Sequence, residues 1–169
     1  MRNRNRDWLR RWDATSPAGV SGPRSFGEMV STYRRQARAG QTLPFMVVVE
    51  GQLAGQVTVN NIVRGSGQFA SIGYWIDEAY AGRGLTTQAV AMVIDHCFYA
   101  ARLHRVEVAI RPENAASLRV VEKLGIKEYG YAPRYLHIDG DWRDHRLFAV
   151  TVEEVPGGMV RRLQKARPQ

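Results

Sequence analysis

The sequence predicts an α+β domain: a central mixed, mostly antiparallel twisted sheet flanked by helices. Three observations predict it. The apolar runs 43–50, 53–63 and 68–76 follow one another across short turns, the pattern of an antiparallel meander. A strand-helix-strand unit comes next, over 68–76, 85–101 and 104–110, and such a crossover sets its two strands parallel. Two further runs, 126–138 and 143–152, flank Asp139-Gly140-Asp141-Trp142 and read as a closing hairpin.

Each element has its own signal. Trp8, Leu9 and Trp12 fit one side of a short helix inside the Arg-rich start. Residues 13–24 are rich in small residues, Pro and Gly and read as a loop. Ser25 opens a capping box with Glu28, Phe26, Met29, Val30, Tyr33 and Ala37 follow at helical spacing, and Gly40 stops the helix. The β-branched run 43–50 suits a buried strand, and Gly51-Gln52 turns it back. In 85–101, Leu85, Ala89, Met92, Val93, His96 and Cys97 fall on one helical stripe. Asn114 can cap a helix over 115–124 that ends at Gly125.

The 169 residues fit one domain, taken as 1–155, with 156–169 as a basic tail. Hydrophobic residues make up 44% and charged residues 24%, which excludes a disordered chain. Cys97 is the lone cysteine, so no intrachain disulfide forms, and a reducing, cytoplasmic setting is expected. No apolar run reaches the roughly 18 residues of a membrane span, and no apolar segment follows the basic start as a secretory signal requires. The formal net charge of +8 reads either as a solvated basic surface or as attraction to anions, such as a phosphate-bearing cofactor or an RNA surface. His96, His104 and His145 have no metal-ligand spacing with acidic or Cys partners, and no metal is expected.

Chemistry concentrates in Ala81-Gly82-Arg83-Gly84-Leu85-Thr86, between a strand and a helix. Amides of a tight turn that run on into a helix N-terminus make an anion cradle. Gly82 and Gly84 let the backbone approach a pyrophosphate with no Cβ between, Arg83 adds a charge, and Thr86 and Thr87 add hydroxyls. A Rossmann unit would need a third Gly and a ribose-binding acid after the second strand, and a Walker lysine is absent.

That loop is followed by Arg111-Pro112-Glu113-Asn114-Ala115-Ala116-Ser117 and by Lys123-Leu124-Gly125-Ile126. The order resembles the GNAT acyl-CoA N-acyltransferase superfamily. Ala81 departs from its usual Gln or Arg, and Thr86 from its usual Gly or Ala. Asp7-Trp8-Leu9, Asn61-Ile62-Val63-Arg64, Glu128-Tyr129-Gly130-Tyr131-Ala132 and, most specifically, Trp142-Arg143-Asp144-His145 are similar to the RimJ-type ribosomal-protein-alanine N-acetyltransferases. The resemblance implies acetyl-CoA as cosubstrate and direct attack by an amine in a ternary complex. It implies a protein N-terminus as acceptor, ribosomal proteins foremost, with contact to the ribosome and no sequence-specific nucleic acid or membrane partner. An acetyltransferase for a small amine, and a non-catalytic acyl-CoA- or ribosome-binding domain, are the alternatives.

The fold implied is a sheet that opens like a V where strands 68–76 and 104–110 splay. The pantetheine arm would then pair with the edge from Gly73 to Ile76, through Tyr74, Trp75 and Ile76, in the manner of an added strand. A backbone N–H near Trp75 or Ile76 would hold the oxyanion, and Asn114 would bind pantetheine or a water. The positions where relatives carry a catalytic carboxylate fall on Ala109 and Leu136, and a frequent Tyr acid falls on Val121. Glu107, one strand period before Ala109, and His137, beside Leu136, are therefore the candidate bases. Ser117 matches a serine proposed as thiolate acid in RimL-like relatives. Trp142-Arg143-Asp144-His145 can line the acceptor site. Cys97, mid-helix on the apolar stripe, reads as a structural thiol rather than an acyl carrier.

GNAT domains usually begin with a strand that the first twelve residues do not supply. Strand 43–50 would then carry its apolar run at an unpaired edge, an association hazard. The expectation is a chain that naturally begins some 30 residues earlier, or a partner that pairs with this edge.

Overall fold

The computed structural model describes residues 1–17 and 25–166. Residues 18–24, most of the loop expected between 13 and 24, lie outside the described residues. The described chain runs α1 (Arg6–Arg10), α2 (Phe26–Arg38), β1 (Leu43–Val49), β2 (Gln52–Val63), β3 (Phe69–Ile76), α3 (Leu85–Asp95), β4 (Arg105–Ile110), α4 (Ala115–Leu124), β5 (Lys127–Ile138), β6 (Asp141–Thr151) and α5 (Met159–Lys165).

All six strands form one sheet in the order β1-β2-β3-β4-β6-β5. Every neighbouring pair is antiparallel except β3 and β4. That pair is parallel over Phe69↔Arg105, Ala70↔Val106 and Ser71↔Glu107 only. From Ile72 onward β3 bonds to β2 alone, and β4 from Val108 bonds to β6 alone, so the expected V opens between them. β1 lies at the sheet edge with Met46 and Val48 more than half exposed.

One core fills the space between the sheet and α3, α4 and α5. Val57, Val59, Ala70, Ile72, Val106 and Val108 project into it from alternate strand positions. α3 meets them with Val90, Ala91, Ile94, Cys97 and Phe98. The expected stripe is thus rotated: Met92 points to solvent at 64% exposure, and the buried face follows Val90 and Ala91 instead. The helical run also widens into a π-helical turn over His96–Ala100 before it ends. Cys97 is fully buried and its thiol is pushed up to about 12 by desolvation, as befits a packing residue.

Local signals set the helix ends. Ser25 Oγ accepts from the Glu28 amide, and Asn114 Oδ1 from the Ser117 amide at 3.1 Å. Gly125 closes α4 in a left-handed conformation, φ 62°. The last hairpin turns on two residues, Asp139 and Gly140, with φ of 48° and 80°. Both positive values fit a type I′ turn, so β6 starts at Asp141 rather than at 143.

The stretch expected as a basic tail from 156 onward carries α5. Met159 is fully buried, and the Asp95 carboxylate accepts the amides of Met159 and Val160 at 2.5 and 3.0 Å. A side chain of α3 thereby caps α5, whose own N-cap, Gly158, has nothing to offer. Asp95→Ala should cost about 1–2 kcal/mol, the range of a lost N-cap. It should speed amide exchange across 159–165 ahead of the sheet. Unaltered exchange there would show that Met159 burial alone holds the helix.

Candidate active site

The open V faces a cleft of about 740 Å³. Its walls come from the upper ends of β3 and β4, the first turns of α3 and α4, the inner face of α2, and α1.

On one side, Asp77 starts a short 3₁₀ turn, Glu78–Tyr80, by accepting the Ala79 amide. Gly82 and Gly84 follow with φ of 75° and 77°, values that only glycine adopts without strain. Gly84 begins α3 with no side-chain cap, so the first-turn amides stay free. A Cβ built at either glycine meets nothing within 4 Å: the turn is open to the outside rather than packed. Arg83 lies over the Tyr80 ring, 5.4 Å from its centroid. The residues expected to hold a pyrophosphate thus form an uncapped, unobstructed nest at the start of an 11-residue helix. Thr86 lines the cleft; Thr87 is buried against the core, which takes its hydroxyl away from the expected role.

From the nest the cleft runs along Gly73, Tyr74, Trp75 and Ile76. The side of this strand that faces β4 has no ladder partner, which leaves backbone groups for an added strand. Ile76 is partly engaged: its carbonyl accepts from Trp8 Nε1 at 3.2 Å. The Tyr74 hydroxyl donates to the Ser117 carbonyl at 3.4 Å, and burial raises the phenol to about 12. Asn114 and Ser117 line the opposite wall. Asn114 spends Oδ1 on the α4 cap, and its Nδ2 is left over for a ligand.

The N-terminal segment ties the two arms of the V together. Arg4 pairs with buried Asp77 at 2.5 Å, Asn5 Oδ1 accepts the Glu78 amide, and Trp8 reaches Ile76, all on the β3 side. On the β4 side, Arg111 donates to the Arg11 carbonyl at 2.7 Å and lies over the Trp12 ring. Arg4 holds the Asp77 carboxyl below its ordinary range.

The acceptor side of the cleft is floored by Gln56, Thr58 and Asn60, alternate residues of β2 that face away from core residues Val57 and Val59. Met29, Thr32 and Tyr33 of α2 wall it, with Leu136, Ile138 and His145 from the hairpin.

Neither of the two expected bases lies in the lining. Glu107 projects from β4 below the cleft, where Arg105 Nε donates to it at 2.7 Å. His137 turns its back on the cleft because strand side chains alternate: Leu136 and Ile138 face it, whereas His137 Nδ1 sits 2.8 Å from Thr15 Oγ1 and the ring packs edge-on to Trp142. One imidazole does lie in the lining: His145, 3% exposed, which the sequence marks only as part of the Trp142-Arg143-Asp144-His145 stretch. The Leu136 alternation and the Asp139-Gly140 turn are the signals that separate the two histidines.

Comparison with known proteins gives this geometry its family. Residues 3–127 match the family model described as an acetyltransferase (GNAT) domain. The chain is 32% identical over 155 residues to a probable N-acetyltransferase, YjcK, of Bacillus subtilis, covering 89% of this chain and 84% of that protein. It is 30% identical over 156 residues to the ribosomal protein uS5-alanine N-acetyltransferase of Escherichia coli, covering 90% and 80%. A solved structure of Mycobacterium smegmatis RimJ with CoA-disulfide superposes with a TM-score of 0.91 at 39% identity, over 98% of this chain and 80% of that one. More distant is the spermidine N(1)-acetyltransferase of E. coli, 26% identical over 122 residues, covering 71% and 64%. With the splayed sheet, the uncapped nest and these relatives together, the chain belongs to the GNAT family of N-acetyltransferases, with acetyl-CoA as its cosubstrate.

Proposed function

We propose that the chain acetylates the N-terminal α-amine of a protein, ribosomal proteins being the first candidates. The observation that carries this reading is the charge of the cleft. Among the described lining residues there is one carboxylate, Asp13, and Arg2 already pairs with it at 2.7 Å. The other ionic groups there are Arg2 and Arg111. A polyamine acceptor brings several positive charges and calls for carboxylates to meet them; a peptide N-terminus brings one, on a backbone that neutral Gln56, Thr58 and Asn60 can hydrogen-bond. The relatives that act on ribosomal protein support the same class.

Chemistry points the same way. An α-amine has a pKa of about 8, so roughly a tenth is neutral near pH 7, whereas a lysine amine near 10.4 is only about 0.04% neutral. A cleft without a carboxylate base suits the first. In this reading the amides of Gly82 to Thr86 hold the pyrophosphate and Arg83 supplies charge. Gly73 to Ile76 pair with pantetheine, and a Trp75 or Ile76 amide meets the oxyanion. Ser117, with its amide fixed on Asn114, protonates the departing thiolate. The formal charge of +8 suits an acceptor met on an RNA-bearing particle. Arg34, Arg35 and Arg38 border a groove of about 570 Å³ on the outer face of α2, the helix whose inner face lines the cleft.

Incubation with acetyl-CoA tests it. Peptides with a free N-terminal Ala or Ser should be acetylated at least tenfold faster than N-blocked lysine peptides or spermidine. Mass spectrometry that places the acetyl group on lysine, or a preference for spermidine, would sink the reading.

A further inference from the structure

We propose that His145 is the general base of the reaction. It accepts, on Nε2, the proton that the amine nitrogen loses as it becomes an amide. The proposal rests on acetyl transfer to an amine in this cleft.

Three observations carry it. First, His145 lines the cleft from β6, on the acceptor side and across from the start of α4. Second, its tautomer is fixed. Nδ1 lies 2.9 Å from the Arg143 carbonyl oxygen, which only accepts, so Nδ1 carries the hydrogen and Nε2 holds the lone pair. Third, the alternatives in the lining fall away. Phenols and guanidiniums keep their protons near neutral pH, which leaves Asp13 and His145. Asp13 is engaged by Arg2.

The surroundings keep the imidazole neutral. Burial lowers its pKa first; Arg111, at the end of β4, lowers it further. The Arg143 carbonyl, Asp144 and Glu113 pull the other way. Asp144 is occupied by the Tyr131 hydroxyl and the Arg134 amide, and Glu113 by Arg111. Tyr135 meets the ring edge-on at 5.9 Å. A neutral imidazole with one nitrogen tied to a carbonyl is a base ready at physiological pH.

The step balances. The amine nitrogen attacks the thioester carbon, the C–N bond forms, and the C–S bond breaks with its electron pair on sulfur. The proton from nitrogen goes to Nε2, the Ser117 hydroxyl gives its proton to the sulfur, and the imidazolium returns a proton to the Ser117 oxygen through cleft solvent, which leaves the free thiol of CoA.

The test uses the intact chain and whichever acceptor the panel above identifies, peptide or polyamine, so failure of the peptide reading leaves this one separately readable. His145→Gln should bind acetyl-CoA within threefold of wild type by calorimetry yet lose about a hundredfold in kcat, the lower range for a general base. Added imidazole should restore part of it. In wild type, kcat should rise with pH through a midpoint below the ordinary histidine value of about 6.5. That midpoint should stay put between acceptors whose amines differ in pKa, and should vanish in His145→Gln. Should the variant not fold, the wild-type profile decides alone. A limb that follows the amine's pKa, a flat profile, or a folded variant within threefold of wild-type kcat overturns the proposal. So does loss of the limb in Asp13→Asn with His145→Gln still active.

Discussion

Gly84→Val should weaken acetyl-CoA binding by about 2 kcal/mol or more, roughly thirtyfold in Kd. Gly84 holds φ 77° where the turn becomes α3. A β-branched residue is strained there by about 1–2 kcal/mol, and its branched bulk would point where the structure leaves nothing within 4 Å. That space is empty of protein and, in the function proposed above, is the approach of the pyrophosphate to the amides. The substitution therefore spares internal packing and burdens the ligand. Calorimetry on the folded variant reads it, with Gly84→Ala as a milder companion. Unchanged affinity would make the turn a purely structural link between strand and helix.

Gly55→Ala acts from β2, which pairs with the edge of β3 that faces away from the V. A Cβ at Gly55 would collide with the Trp75 carbonyl oxygen and stand 3.0 Å from Ile76 Cα, both backbone atoms of the paired strand. A backbone cannot rotate away as a long side chain can. Either β2 and β3 separate at this rung or the contact strains both. Overpacking of this kind costs about 1–3 kcal/mol, and at about 2–4 °C per kcal/mol for a chain of this length the melting point should fall by about 2–12 °C. Acetyl-CoA affinity should fall with it, because Trp75 and Ile76 carry the free edge of the V. A melting curve within about a degree of wild type would mean that the two strands have slack at this rung.

Much of this is legible in the amino-acid sequence. The meander, the crossover and the hairpin follow from strand periodicity, and Asn114 and Gly125 mark the ends of α4 by their chemistry alone. The glycine pair at 82 and 84 declares its own backbone. What escapes is orientation. His137 lies beside the Leu136 position by number, yet a strand sends neighbours to opposite faces, so adjacency is the wrong measure. His145 sits in the most family-specific stretch, where the sequence suggests only acceptor-site lining, because burial and a tautomer-fixing carbonyl are products of the hairpin register. The α3 stripe slips because Met92 is apolar yet exposed, while Thr87 is polar yet buried. α5 escapes because its seven residues are mostly polar and its N-terminal cap comes from Asp95, 64 residues away in sequence.

The segment that ties β3 to β4 has a consequence for how the cleft opens. Its anchors are mostly polar or cation–π contacts, at Asp77, Glu78, Ile76, Arg111, Asp139 and Trp75, and of the five residues of α1 only Leu9 is buried. Few apolar contacts mean a low free energy of local opening. The tips of the V share no ladder bonds, so releasing that strap costs the sheet nothing directly. Amides of 6–10 should then exchange by partial opening, well before those of β4 at the centre of the sheet. A cosubstrate lying between the strands adds its own contacts to both arms, and it would slow exchange in α1 without having to touch it.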